Sequence, residues 1–248
     1  MISTAKKLYR RSVAGIMLLT VEMLLSIFLF LIAFAVFIFI AKYIFLDKKD
    51  AFDADVSHFM TTIVSTALTH ILLFFTILGN SQFLFPANIL LTCYFLFVRK
   101  HKWYSIKIPS IALSSVILMS LLKLLFTRPR PLVPLLEAAK GFSFPSGHAM
   151  SSVTFFGLLI YFVWQTKMNK YLRVLIVTCL VLLILIIGFS RIYLRVHYAS
   201  DVIAGFCAGI IWLVLSLWTI RKIEFYSKRN LNKVVEHPSA SPHSHAKS

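Results

Sequence analysis

The chain has 248 residues, 59% of them hydrophobic and only 14% charged, with a mean hydropathy of +0.83. Soluble domains carry about 25% charged residues, so this composition excludes a soluble globular fold and indicates an all-α, multi-span membrane protein. The formal charge of +17 does not indicate nucleic acid, because the basic residues flank apolar runs instead of tiling one soluble face.

In chain order, the apolar runs predict spans over 17–45, 82–98, 106–126, 147–165, 172–189 and 202–220. No short alternating segments of the β-barrel kind occur. The first run exceeds the apolar core of a signal peptide and lacks a small-residue cleavage site, so it reads as a span. A further segment, 56–79, carries His58, His70 and several Ser and Thr, and fits a seventh span, a re-entrant helix or an interfacial one. Gly79-Asn80 and Pro86 interrupt the stretch 56–98, which favours one bent incoming helix followed by one span.

Charge placement decides between six spans and seven. Six spans with a cytoplasmic N-terminus put 17 of the 26 basic residues inside, in 1–16, 99–107, 166–173 and 221–248, as the positive-inside rule requires. Both termini are then cytoplasmic. Residues 1–235 read as a single membrane-embedded domain, and 236–248, EHPSASPHSHAKS, as a disordered polar tail. His237, His243 and His245 in that tail read as part of a mobile polar segment, not a metal site. Cys93, Cys179 and Cys207 fall within apolar runs and read as packing residues without a disulfide.

Two outward loops break the charge rule, holding or flanked by Lys123, Arg128, Arg130, Lys140, Arg191 and Arg195. In KLLFTRPRP (123–131) the prolines end the helix and hold the arginines extended, making a receptor for a multiply charged anion. In GFSFPSGHAM (141–150) a helix should begin near Ser146 and Gly147, presenting free N–H groups and a positive dipole end to phosphate, with His148 in its first turn. In SRIYLRVHYASD (190–201), His197 and Asp201 are four apart and share a face if helical, so the carboxylate can accept Nδ1–H and leave Nε2 free.

Each element alone has an ordinary explanation: interfacial anchors, a Ser N-cap, a structural His–Asp pair. Together they supply what phosphoryl transfer without a metal needs. One imidazole attacks phosphorus, another protonates the leaving oxygen, and cations stabilise the equatorial oxygens. Spacing leaves open which imidazole does which. No carboxylate cluster, and no Cys/His cluster outside the tail, suggests a catalytic metal or other cofactor, and there is no Walker-type loop.

Lys123-x6-Arg130-Pro131, Pro145-Ser146-Gly147-His148 and Ser190-Arg191-x5-His197-x3-Asp201 resemble, in order and spacing, the three-part signature of the type-2 phosphatidic acid phosphatase superfamily. The resemblance covers residues 123–201 and implies a six-span bundle with its active site at the outer ends of the helices. It further implies that His197 is the nucleophile of a phosphohistidine intermediate, that Asp201 orients it, and that His148 is the general acid. Lys123, Arg130, Ser146, Gly147 and Arg191 would bind the phosphoryl oxygens.

The chain departs from the commoner pattern at Arg195 and Ala199, where members often carry Gly and Pro; Arg195, with Arg128, is therefore expected to contact the substrate headgroup. The implied partners are a lipid phosphate and the surrounding membrane lipids, in a bacterial inner membrane. Undecaprenyl diphosphate is the favoured substrate. Lipid A, phosphatidylglycerol phosphate and phosphatidate are alternatives, as is phosphotransfer to an acceptor lipid. A transporter or lipid-binding protein with a dead site is argued against by the intact His148, His197 and Asp201.

Overall fold

The computed structural model describes residues 2–135 and 141–236, with side chains described over 21 and 23–227 apart from that internal gap. Lys140, the tail beyond Glu236 with its three histidines, and the side chains of the basic residues near both chain ends lie outside the described residues. Among the described residues eight α-helices follow one another: α1 (Ile2–Ala41), α2 (Ala51–Thr62), α3 (Thr66–Leu78), α4 (Ser81–Cys93), α5 (Lys102–Phe126), α6 (Gly147–Trp164), α7 (Lys170–Tyr193) and α8 (Ala199–Glu236). Wider π-helical turns extend α1 over Lys42–Leu46 and α4 over Tyr94–Val98. No strand occurs among the described residues.

Among the described residues six stretches are long and apolar enough to cross a bilayer: Met23–Leu46, Ser81–Val98, Lys102–Phe126, Gly147–Trp164, Lys170–Tyr193 and Ala199–Ser227. They match the six predicted spans. Large apolar side chains such as Phe39, Leu90, Leu125 and Leu175 are exposed, as lipid-facing positions are.

The ambiguous segment is neither a seventh span nor one bent helix. It forms α2 and α3, of 12 and 13 residues, each about 20 Å or less at 1.5 Å per residue and too short for a core of about 30 Å. The break falls at Ile63–Ser65, where Ser65 caps α3 by accepting from Leu68 N–H at 3.3 Å. Tyr193 Oη fixes the same point, accepting Ser65 N–H at 3.0 Å. Asn80 then starts α4 after Gly79.

The core of the bundle is α6 packed between α7 and α8. Lipid offers no hydrophobic gain for helix association, so close packing of small residues does the work. A Cβ at Gly205 of α8 would lie 2.6 Å from the Ser146 carbonyl oxygen and 2.9 Å from Ala149 Cβ; one at Gly209 would lie 3.0 Å from the Met150 oxygen. A Cβ at Gly188 of α7 would collide with the Phe206 ring. The first turns of α6 and α8 are thereby drawn together at the end of the bundle where α5 and α7 finish. At the other end, Lys107 of α5 is buried and paired with Glu224 of α8 at 2.9 Å.

Gly205→Ala should lower the melting temperature in detergent by the equivalent of about 1–3 kcal/mol, the usual cost of overpacking, because the obstacle is backbone. Gly157→Ala meets only the tip of the Leu213 side chain, at 2.7 Å, and should cost clearly less. Equal losses in a thermal unfolding assay would contradict the close α6–α8 contact.

Candidate active site

The loop after α5 is shaped by its own sequence. Thr127 takes a left-handed conformation and closes the helix by donating its N–H to the Lys123 carbonyl at 3.0 Å, and Pro129 and Pro131 prevent the helix from continuing. The returning strand of chain is tied down where Ser143 N–H donates to the Arg128 carbonyl at 2.8 Å. Phe144 is fully buried against Phe37, Phe45 and Phe126, and its bond to Pro145 is cis. Ser146 then donates its N–H to the Asp201 carbonyl at 2.9 Å, and α6 begins at Gly147. GFSFPSGH is thus held from both sides, by an aromatic nest and by the first turn of α8.

His197 lies in the turn between α7 and α8. Val196 N–H and His197 N–H both donate to the Arg191 carbonyl, at 3.2 and 3.3 Å, and Arg195 adopts φ +52°. The condition for His197 and Asp201 to share a helix face is not met, because α8 starts at Ala199, after the histidine. Asp201 caps that helix, its Oδ2 accepting Tyr198 N–H at 2.9 Å, as an acid at the third helical position reaches back to the cap. Nδ1 of His197 stands 3.7 Å from Asp201 Oδ2, outside direct hydrogen-bond range. Ser143 Oγ bridges them, donating to Asp201 Oδ2 at 2.5 Å and lying 3.3 Å from Nδ1.

Cations converge on the other face of the imidazole. Arg130 NH1 lies 3.3 Å from His197 Nε2 and donates to the Val196 carbonyl at 2.8 Å, while its Nε donates to the Gly141 carbonyl at 2.9 Å. Lys123 Nζ donates to the Phe142 carbonyl at 2.9 Å. Arg191 is buried, with NH1 on Thr76 Oγ1 at 2.7 Å and Nε lacking a partner. His148, in the first turn of α6, stands within electrostatic reach of Lys123, Arg130, Arg191 and His197. The backbone of Gly79 passes close by, a Cβ there falling 3.3 Å from His148 Cδ2. Ser146 Oγ is fully buried, caps nothing and has no partner among the described residues. Buried polar atoms without partners are rare, and Ser146 Oγ and Arg191 Nε are two of them.

Arg128 sits elsewhere than expected. Its terminal nitrogens are taken by Asp53 Oδ2 at 2.7 Å, Asp201 Oδ1 at 2.6 Å and Ser200 Oγ at 2.9 Å, and its guanidinium lies 4.1 Å over the Tyr198 ring. Arg128 and Arg130, two apart, would share a face in a regular extended segment. The segment 127–131 is irregular, and Arg128 turns to Asp53 and Asp201 while Arg130 turns to the Val196 carbonyl and His197. Arg195 is half-buried, and its Nε has no hydrogen-bond partner among the described residues.

Sequence reasoning missed Asp53, Thr76, Ser143 and Ser200. Thr76 carried a signal, a hydroxyl inside an apolar helix, and Ser143 stands within the quoted segment. Asp53 is one of four acids crowded into 47–55, and nothing in the sequence sets it apart from the other three.

Chemically, the arrangement suits attack on an anion. Burial lowers the His197 pKa to about 4, against the opposing pull of Asp201, so the imidazole is neutral and carries a lone pair at neutral pH. The surrounding cations and the N–H groups at the start of α6 favour a phosphoryl group beside it.

Comparison with known proteins agrees with this geometry. The family model of the PAP2 superfamily matches residues 105–225. Phosphatidylglycerophosphatase B of Bacillus subtilis (strain 168) is 29% identical over 168 residues, covering 67% of this chain and 78% of that protein. The crystal structure of a transmembrane PAP2-type phosphatidylglycerolphosphate phosphatase from Bacillus subtilis superposes with a TM-score of 0.71 at 26% identity, over 78% of this chain and 96% of that one. LpxE from Aquifex aeolicus superposes with a TM-score of 0.53 at 27% identity, over 66% and 93%. The chain belongs to the PAP2 superfamily and is an integral-membrane lipid phosphatase.

Proposed function

We propose that residues 1–235 form one catalytic domain that hydrolyses a lipid phosphate through a phosphohistidine at His197. The observation that carries this reading is the meeting of a buried neutral imidazole, a second histidine and three cationic side chains with a partnerless Ser146 hydroxyl. Nε2 of His197 attacks phosphorus as the bond to the lipid oxygen breaks, and His148 gives its proton to that oxygen. Water, deprotonated by His148, then attacks phosphorus. The N–P bond breaks and orthophosphate leaves. Lys123, Arg130 and Arg191 hold the equatorial oxygens with Ser146 Oγ–H and the N–H groups of Gly147 and His148. Asp201, acting through Ser143 Oγ, keeps the imidazole oriented and offsets the charge on the phosphohistidine.

One feature supports a reaction without a metal: the developing charge is met by the fixed cations Lys123, Arg130 and Arg191. For the lipid, the likeness to Bacillus subtilis phosphatidylglycerol phosphate phosphatase in sequence and structure moves phosphatidylglycerol phosphate ahead of undecaprenyl diphosphate, with phosphatidate and lipid A as further members of the same test panel. The site faces the outside of the inner membrane and both termini are cytoplasmic, a reading supported by the basic residues of 99–107 and 166–173 at the opposite end of the bundle.

Phosphate release by detergent-solubilised protein in EDTA tests the reading. Wild-type protein should release phosphate from at least one lipid of the panel, and His197→Ala should lose roughly 10³-fold or more. Full activity in that variant, or strict dependence on a divalent ion, would contradict it. Phosphate appearing on a second lipid would replace hydrolysis by transfer.

Arg195 is the second test. A left-handed conformation costs a non-glycine residue about 1–2 kcal/mol, and its Nε is buried without a partner; both fit a side chain reserved for the headgroup. Arg195→Gly should raise the melting temperature while changing the ratio of turnover on diphosphate and monophosphate lipids about tenfold, the equivalent of one charge-assisted hydrogen bond. An unchanged ratio would remove Arg195 from substrate recognition.

A further inference from the structure

A buried bridge of charge links α2 to the candidate nucleophile. Asp53, in the first turn of α2, accepts from Arg128 NH2 at Oδ2 (2.7 Å), from Ser200 N–H at Oδ1 (2.9 Å) and from Ser200 Oγ–H at Oδ2 (2.5 Å). Arg128 reaches on from NH1 to Asp201 Oδ1 at 2.6 Å. Asp53 is 4% exposed, Ser200 3% and Asp201 0%. From the geometry we infer that Asp53 is a positioning residue for the reaction: it fixes Arg128 and Ser200 so that the carboxylate of Asp201, and through it His197, is held in one orientation. This rests on the proposed role of His197 and reaches outside the family-matched region, since Asp53 precedes residue 105.

Docking α2 does not by itself require a carboxylate. Val56, Met60 and Ile63 already bury against Tyr193, Leu194 and Val196. Buried ion groups lose hydration that an apolar contact would not, so a saturated ionic bridge in addition to that contact calls for a role of its own. The fork of Arg128 supplies it. One terminal nitrogen is held by Asp53, so the other is aimed at Asp201 Oδ1. Asp201 Oδ2 is thereby left to Tyr198 N–H and to Ser143, whose Oγ also touches His197 Nδ1. The two carboxylates and one guanidinium carry a net negative charge beside the imidazole, which favours the cationic character that builds on His197 when N–P bonding begins. Burial works against the Arg128 charge, but Asp201 and Asp53 outweigh it and raise its pKa, so the bridge stays ionic.

The test compares Asp53→Asn with wild type on the best lipid substrate. The amide keeps the shape and can still accept Ser200 N–H, but removes the charge and the acceptor for Arg128. Expected is a kcat lower by 10- to 100-fold with KM within threefold, because substrate binds to groups that Asp53 does not touch. In an Arg128→Gln background, adding Asp53→Asn should change kcat less than twofold, since the two act in series. Wild-type kcat per folded molecule in Asp53→Asn, a loss confined to KM, or multiplicative losses in the double variant would each overturn the inference. If Asp53→Asn does not yield folded protein, Asp53→Glu, which keeps the charge but displaces it, decides: lower kcat at unchanged KM supports the inference, and wild-type kinetics overturn it. Absence of phosphate release from wild-type protein would instead refute the functional reading and this inference with it.

Discussion

One buried carboxylate organises the end of the bundle where the chemistry is placed. Asp201 is fully buried in the first turn of α8, and all three of its oxygens are used. Its backbone oxygen accepts the N–H that starts α6, Oδ1 takes Arg128, and Oδ2 takes Tyr198 N–H and Ser143. An unpaired carboxylate at such a depth would be several kcal/mol unfavourable, so its partners are held as firmly as it is. The loop from α5, the start of α6 and the turn that carries His197 are joined through this one residue. The missing Cβ of Gly205, one turn further along α8, lets the two helices come close enough for that joining.

Charge is divided between two layers. Behind the imidazole, Arg128 pairs with both Asp53 and Asp201 at 2.6–2.7 Å, which leaves that layer with a net negative charge. In front of it, Lys123, Arg130 and Arg191 donate to the carbonyls of Phe142, Gly141 and Val196 and to the Thr76 hydroxyl. Carbonyl dipoles hold a cation in place without cancelling its charge, so the front layer keeps its attraction for an anion. This is the physical difference between Arg128 and Arg130, two residues apart in the chain. One is consumed by the protein's own acids, and the other keeps its charge directed at His197.

The spans were legible because apolar length is sufficient to define them, and their ends were misjudged where polar site residues dilute the hydropathy. The last span was expected from 202 but α8 begins at Ala199, since Ser200 and Asp201 belong to its first turn. The fifth was expected to stop at 189 but α7 continues through Arg191 to Tyr193. The signature residues were legible because their spacing is local. Partners supplied from distant segments were not. Asp53 lies 75 positions before Arg128, and nothing in an acid-rich connection distinguishes the one carboxylate that turns inward. The Ser143 bridge was hidden for another reason: i,i+4 spacing suggests a direct His–Asp contact, and only the turn at Arg195 takes His197 off the helix.

The central claim is that phosphorus becomes bonded to His197 before water releases it. The most direct measurement is acid-free quenching and peptide mass analysis of a His148→Ala variant mixed with an aryl phosphate, whose good leaving group needs no acid and whose intermediate then lacks its base. The account predicts one phosphoryl group on the peptide containing His197, labile to acid and stable to alkali. Turnover of that ester with phosphate on no histidine, or on His148 in wild-type protein, would contradict it.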